Sequence, residues 1–147
     1  MKKYYSYELF VKDTKKLIDR CKLFKPESIV AVARGGMTLA HCVAEGLELR
    51  DVQSIRTELY DDTIKREEIT LVANCDFKDK KRVLVVDDIA DSGETLQAVM
   101  NYLEKNFQDI EFKSATLFYK KSSSYEPHYW INEANEWIEF FWEKDFG

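Results

Sequence analysis

One segment limits what this chain can fold into more than any other: Val83–Thr95, VLVVDDIADSGET. It opens on Val83-Leu-Val-Val86, a continuous apolar run with no polar alternation, which is the pattern of a strand buried on both faces of a parallel sheet. The run passes without a spacer into Asp87, Asp88 and Asp91, and then into Ser92-Gly93. A helix is expected over Glu94–Lys105, with Leu96, Val99, Met100 and Leu103 on one face. Three carboxylates crowded at one strand end repel each other unless a cation or hydroxyl donors offset them. Mg²⁺ together with a polyhydroxyl ligand would do so, because hard carboxylate oxygens suit it. Beyond the acids, Gly93 permits a tight turn, and Ser92 and Thr95 offer hydroxyls. The unpaired N–H groups of the first helical turn would face an anion. One loop therefore offers an acidic half for a metal and sugar hydroxyls and an N–H-rich half for a phosphate monoester. A lone D-S-G-x-T is most simply an acidic turn with a Ser/Thr helix cap, but the whole string asks for more. It is neither a Walker A loop nor a GxGxxG fingerprint, since the Lys and the glycine spacing are absent.

A second glycine loop follows a second apolar run. Ser28–Val32 reads as a strand, Ala33-Arg34-Gly35-Gly36-Met37 as the loop, and Thr38–Leu49 as a helix burying Leu39, Ala40, Val43, Ala44 and Leu47. A helix is also expected over Ser6–Cys21, with Ser6 as cap and Leu9, Phe10, Leu17, Ile18 and Cys21 inward. Further strands are expected at Val52–Leu59, Ile69–Ala73, Arg82–Asp87 and Phe112–Tyr119, with the polar stretch Tyr60–Glu68 as a loop. The tail carries Tyr129, Trp130, Trp137, Phe140, Phe141 and Trp142, an aromatic density that needs a packing partner. Strands alternating with helices imply βαβ units and an α/β fold with a mainly parallel sheet. Ligands of such sheets sit outside the strands' carboxyl ends. Both glycine loops fall there, on one rim.

The 147 residues suit a single domain at roughly 150 residues per domain, and 45% hydrophobic content is enough for a core. The 22 Lys and Arg against 27 Asp and Glu argue against a nucleic-acid-coating protein. No apolar run approaches the ~18 residues of a membrane span. Met1-Lys-Lys-Tyr-Tyr5 lacks the apolar core of a secretion signal. Cys21, Cys42 and Cys75 show neither CxxC nor zinc spacing and read as reduced, partly buried thiols of a cytoplasmic protein. His41 and His128 have no triad partners nearby in sequence and read as structural.

VLVVDDIADSGET resembles the phosphoribosyl-pyrophosphate (PRPP) motif of type I phosphoribosyltransferases. Ala33–Met37 resembles that family's pyrophosphate loop, and Tyr60–Glu67 its flexible loop. Phe118-Tyr119-Lys120 resembles its base-reading strand end. Trp137-Ile-Glu-Phe-Phe-Trp-Glu143 resembles the C-terminal hood of the bacterial xanthine–guanine branch. The likeness spans roughly residues 28–143, in family order. It implies the type I fold, a twisted, mainly parallel sheet flanked by helices, as one domain over 1–147 with a core at about 1–120 and a small hood at about 121–147.

The resemblance further implies transfer of the phosphoribosyl group of PRPP to a 6-oxopurine, with Mg²⁺. Asp91 would be the general acid or base at the purine N7. Asp87 and Asp88 would hold the ribose hydroxyls, with Asp88 as metal ligand and Asp87 as a second candidate. Ala90, Asp91, Ser92, Gly93, Glu94 and Thr95 would surround the 5′-phosphate, Glu94 as a first-turn acid facing solvent. Arg34, Gly35, Gly36 and Arg66 would bind pyrophosphate, with an unusual peptide geometry at Arg34–Gly35. Lys120 would meet O6, Trp137 would stack on the base, and Ile138 and Glu139 would contribute at its edge. Tyr60, Lys65 and Arg66 would form a lid, with Leu59 where relatives often carry Ser. Partners would be small molecules, with no nucleic acid and no membrane segment, and the chain a homo-oligomer, dimer or tetramer. Two alternatives remain at this stage: a non-catalytic PRPP- or nucleotide-binding regulator of the same fold, and a transferase for a non-purine acceptor.

Overall fold

A computed structural model describes residues 1–61 and 67–147, apart from the side chains of 59–61 and 67–68. In chain order the elements are β1 (Lys2–Tyr5), α1 (Tyr7–Cys21), a 3₁₀ turn at Lys22–Phe24, β2 (Ser28–Ala33), α2 (Met37–Leu47), β3 (Val52–Asp61) and β4 (Glu67–Ala73). There follow β5 (Arg82–Val86), β6 (Ile89–Ala90), α3 (Glu94–Asn106), β7 (Glu111–Tyr119), β8 (Tyr129–Glu133), β9 (Trp137–Phe140) and α4 (Phe141–Lys144). The lid residues Lys65 and Arg66, and the side chain of Tyr60, lie outside the described residues.

The main sheet runs β4-β3-β2-β5-β7-β6, with β8 also beside β7. Every pairing is parallel except β3 with β4. The apolar run in β5 explains the layering. Leu84 and Val86 face a core shared with α1 and α2, while Val83 and Val85 face a second core under α3. Successive strand side chains point to opposite faces, so a strand covered by helices on both sides must be apolar throughout.

Ser6 caps α1, its hydroxyl accepting from the Leu9 N–H at 3.1 Å. The inward arc of α1 differs from expectation: Leu9 is 38% exposed, while Asp13 and Thr14 are buried. Asp13 is drawn inward by the Tyr5 hydroxyl and the Asn132 amide, which both donate to it. A count of apolar positions alone cannot register that. The expected loop Tyr60–Glu68 is shorter, because the antiparallel pairing continues to Tyr60↔Glu68 and Asp61↔Glu67. Backbone pairing of this kind proceeds without apolar side chains.

The aromatic tail forms elements that the sequence pattern left unassigned. β8 joins the main sheet, while β9 pairs in parallel with β1, so that the two chain ends make a second, two-stranded sheet. Among the described residues no helix is long and apolar enough to cross a membrane. The three cysteines are free, Cys21 buried and the others partly so.

Candidate active site

β5 and β6 pair with β7 in one continuous register, Val86↔Ala115 and Ile89↔Phe118. Asp87 and Asp88 thus lie on a single strand line between β5 and β6, close enough that their side chains hydrogen-bond to each other and the Asp88 N–H donates to Asp87 Oδ1 at 2.8 Å. Asp87 lines a small cavity of about 120 Å³ with Ala90, Asp91, Ser92, Gly93 and Thr95. Gly93 closes this loop at φ +88°, a left-handed conformation that side-chain-bearing residues rarely adopt, and then begins α3. The Glu94 N–H reaches Ser92 Oγ at 3.2 Å. Glu94 itself is exposed in the first turn and outside the cavity. Ser124 braces the loop from behind, its N–H and hydroxyl donating to the Ser92 carbonyl at 2.8 and 3.1 Å.

Asp88 also reaches the first glycine loop. A Cβ on Gly35 would stand 2.7 Å from Asp88 Oδ2, and one on Gly36 only 2.4 Å from the Val86 carbonyl. Missing side chains are what let the two loops touch. The Ala33–Arg34 peptide is cis, one residue before the position expected at Arg34–Gly35. Arg34 and Gly35 border a groove of about 800 Å³ with Thr38, Thr57 and Glu143, whereas Gly36 lies outside that lining and packs against backbone.

Asp87 and Asp88 are buried. Burial holds the Asp87 carboxyl well above its ordinary 3.8, and the adjacent Asp88 charge adds to this. Burial likewise pushes Asp88 up to about 6, while its side-chain hydrogen bond with Asp87 and the Ile89 N–H bonded at 2.7 Å work in the opposite direction and the negative Glu143 adds a little to the rise. Two buried carboxylates that resist ionisation are a fitting seat for a cation. Among the described residues no group of three or more His, Cys, Asp or Glu could hold a metal. Mg²⁺ would need only one or two protein carboxylates here, since it completes its shell with phosphates and water.

The ligand-free fold gains stability by keeping Asp88 protonated below pH 3.8 and loses that contribution as pH rises through about 6. Asp88→Asn is neutral at every pH. Near neutral pH it is expected to raise the Tm of the ligand-free protein, at about 2–4 °C per kcal/mol for a chain of this size. The gain fades toward acid. Thermal melts across the acid-to-neutral range check this, and a gain that does not change with pH contradicts it.

A third cavity, of about 280 Å³, lies under the hood between Asp88, Ile89, Asp91, Lys120, the stretch from Ala134 to Ile138, Phe140 and Glu143. Lys120 Nζ stands 3.6 Å from Asp91 Oδ1. Trp137 is 64% exposed and lines this cavity, while Ile138 is buried yet also reaches it. Glu139 lies outside the lining and pairs with Lys2 at 3.8 Å. Sequence reasoning gave no role to Ile89, Asn135, Glu136, Phe140 or Glu143, although Ile89 stands inside the DDIADSGET string and Phe140 and Glu143 inside WIEFFWE.

Fold and site together are those of an α/β protein with two glycine loops and an acidic strand end on the carboxyl rim of a mainly parallel sheet, beside a cavity under its C-terminal hood. Residues 2–145 match the family model of the phosphoribosyl transferase domain, and the chain belongs to that family. It is similar to the solved Helicobacter pylori xanthine-guanine-hypoxanthine phosphoribosyltransferase, with 40% identity, coverage of 99% of this chain and 96% of that one, and a TM-score of 0.92. A purine phosphoribosyltransferase from Pyrococcus horikoshii is 30% identical over 97% of this chain and 93% of its own, with a TM-score of 0.87. The xanthine-guanine phosphoribosyltransferase of Idiomarina loihiensis is 28% identical over 120 residues, 80% of this chain and 71% of that protein.

Proposed function

We propose that this protein is a purine-salvage enzyme that transfers the phosphoribosyl group of PRPP to a 6-oxopurine, giving a nucleoside monophosphate and pyrophosphate. The observation that carries this reading is the Lys120–Asp91 pair in a base-sized cavity that shares Asp91 with the phosphate loop. An ammonium and a carboxylate side by side match the adjacent O6 acceptor and N7–H donor of a 6-oxopurine. Adenine presents an amino group where Lys120 needs an acceptor, so it is disfavoured.

In this account the amides and hydroxyls from Ser92 to Thr95 hold the 5′-phosphate, helped by the N-terminus of α3. Asp87 and Asp88 hold the ribose hydroxyls, with Asp88 as the principal metal ligand. Mg²⁺, when bound, supplies positive charge that stabilises the departing pyrophosphate. Arg34 and the Gly35 backbone bind that pyrophosphate from the groove side. The bond from the ribose C1′ to pyrophosphate breaks as a purine nitrogen bonds to C1′, through an oxocarbenium-like state. Asp91 takes the proton from N7. Trp137 stacks on the base, since its exposed face awaits a flat partner. The cytoplasm and a homo-oligomeric assembly complete the proposal.

The test mixes protein, PRPP and Mg²⁺ with hypoxanthine, guanine, xanthine, adenine and uracil in turn. Nucleotide is expected with the 6-oxopurines and not with adenine or uracil. PRPP binding without turnover on any base would make the protein a binding module instead. Trp137→Ala is expected to weaken purine affinity about 10- to 100-fold, the range for loss of one base-stacking aromatic, and to leave PRPP affinity nearly intact. Calorimetric titration of each ligand separates the two, and equal losses would make Trp137 a structural residue.

A further inference from the structure

Behind the base cavity, built from residues given no role above, sits a buried polar cluster. Tyr5 ends β1 and is 1% exposed. Its hydroxyl donates to Asp13 Oδ2 at 2.6 Å, and the same oxygen accepts from Asn132 Nδ2 at 2.9 Å. Asn132 Nδ2 also reaches the Leu117 carbonyl at 3.3 Å. Two residues after Asn132 comes Ala134, the start of the stretch that lines the cavity, its N–H bonded to the Tyr119 carbonyl at 2.9 Å.

The Tyr5 ring makes two further contacts. It meets Phe118 edge-on at 4.9 Å between centroids and Phe140 at 5.8 Å. Phe118 lies two residues before Lys120, and Phe140 closes β9, three residues after Trp137. β1 is itself paired to β9 in register, Tyr5 opposite Phe140. One side chain thus touches, from behind, both the strand end that presents Lys120 and the hood strand that presents Trp137 and Ile138. Burial and the Asp13 carboxylate both hold the Tyr5 hydroxyl in its protonated, donating form.

We propose that Tyr5, tied through Asp13 to Asn132, is a positioning residue for the base pocket: it fixes the spacing between Lys120 and the hood. This rests on the 6-oxopurine reading above and deepens it. A residue serving the core alone would lend only volume, which phenylalanine also supplies. A positioning residue acts through its hydroxyl, and small displacements of a base-reading group cost binding steeply.

Tyr5→Phe is expected to raise KM for guanine about tenfold while the Kd for PRPP stays within about twofold of wild type. Asp13→Asn keeps an acceptor oxygen for both donors and is expected to retain a near-wild-type guanine KM. Asp13→Leu removes that oxygen and is expected to behave like Tyr5→Phe. Asn132→Ala repeats the test from the other donor should Tyr5→Phe fail to fold. Melting curves accompany each variant. A Tyr5→Phe protein with a lowered Tm and an unmoved guanine KM, or one that loses PRPP and guanine in step, overturns the proposal. A wild-type protein inactive on every 6-oxopurine overturns it together with the functional reading, whereas an active wild type with an unmoved Tyr5→Phe overturns this inference alone.

Discussion

Replacing Asp91 with Asn is expected to lower kcat on a 6-oxopurine by ~10²–10⁴ while PRPP still binds, the loss typical of removing one positioned acid–base group. Asn keeps the shape of the side chain and loses both its charge and its capacity to take a proton. Asp91, with Ile89, lines both the small cavity of the DSGET loop and the cavity under the hood, and Lys120 Nζ stands 3.6 Å away. It is exposed rather than buried, so its replacement costs the fold little. Removing its charge frees Lys120, and the KM for the base is expected to move far less than kcat. Steady-state kinetics beside a calorimetric titration with PRPP reads both quantities. An unchanged kcat would strip Asp91 of the role given to it, and equal loss of PRPP affinity would make it a binding residue.

Gly36→Ala is the second large effect, and its cause is steric. The added Cβ would stand 2.4 Å from the Val86 carbonyl oxygen, 2.9 Å from Asp87 Cα and 3.0 Å from the Val32 carbonyl oxygen. All three are backbone atoms of β2 or of the acidic strand end, so no side chain can swing aside. Relief requires the pyrophosphate loop to move off the Asp87–Asp88 line. Overpacking of this kind costs about 1–3 kcal/mol of stability. The displacement also separates Arg34 and Gly35 from the acids that would hold the ribose, and ~1 Å of misplacement costs on the order of 10²-fold in activity. The expected result is a lowered Tm together with a PRPP affinity at least tenfold weaker. Denaturation and PRPP titration check it, and a variant with wild-type PRPP affinity would show that the contact between the loops is not required.

The parts of this protein legible in the sequence share one property: their determinants are local. The apolar run of β5, the acids after it, the left-handed Gly93 and the helix that follows are contiguous, so the chemistry of the loop could be read residue by residue. The same holds for β2, its glycine loop and α2. What escaped reading was non-local. β1 is four residues of mixed character that become a strand only because β9, at the other end of the chain, lies beside them. Asp13 faces inward only because Tyr5 and Asn132 donate to it. Phe140 and Glu143, which line the cavity under the hood, belong to a tail whose aromatics predict burial but not direction. Gly36 reads from the sequence as part of the pyrophosphate loop; that its missing side chain makes room for the backbone of Val86 and Asp87 is a fact of tertiary packing, which no local pattern carries.

One corner of the molecule is proposed to receive the 5′-phosphate, the ribose diol and the pyrophosphate of a single ligand. A crystal structure of the protein with PRPP and Mg²⁺ tests it most directly. The 5′-phosphate is expected on the amides from Ser92 to Thr95, the ribose hydroxyls at Asp87 and Asp88, and the pyrophosphate beside Arg34 and Gly35. A ligand seated elsewhere, or that corner left empty with PRPP in excess, would contradict it.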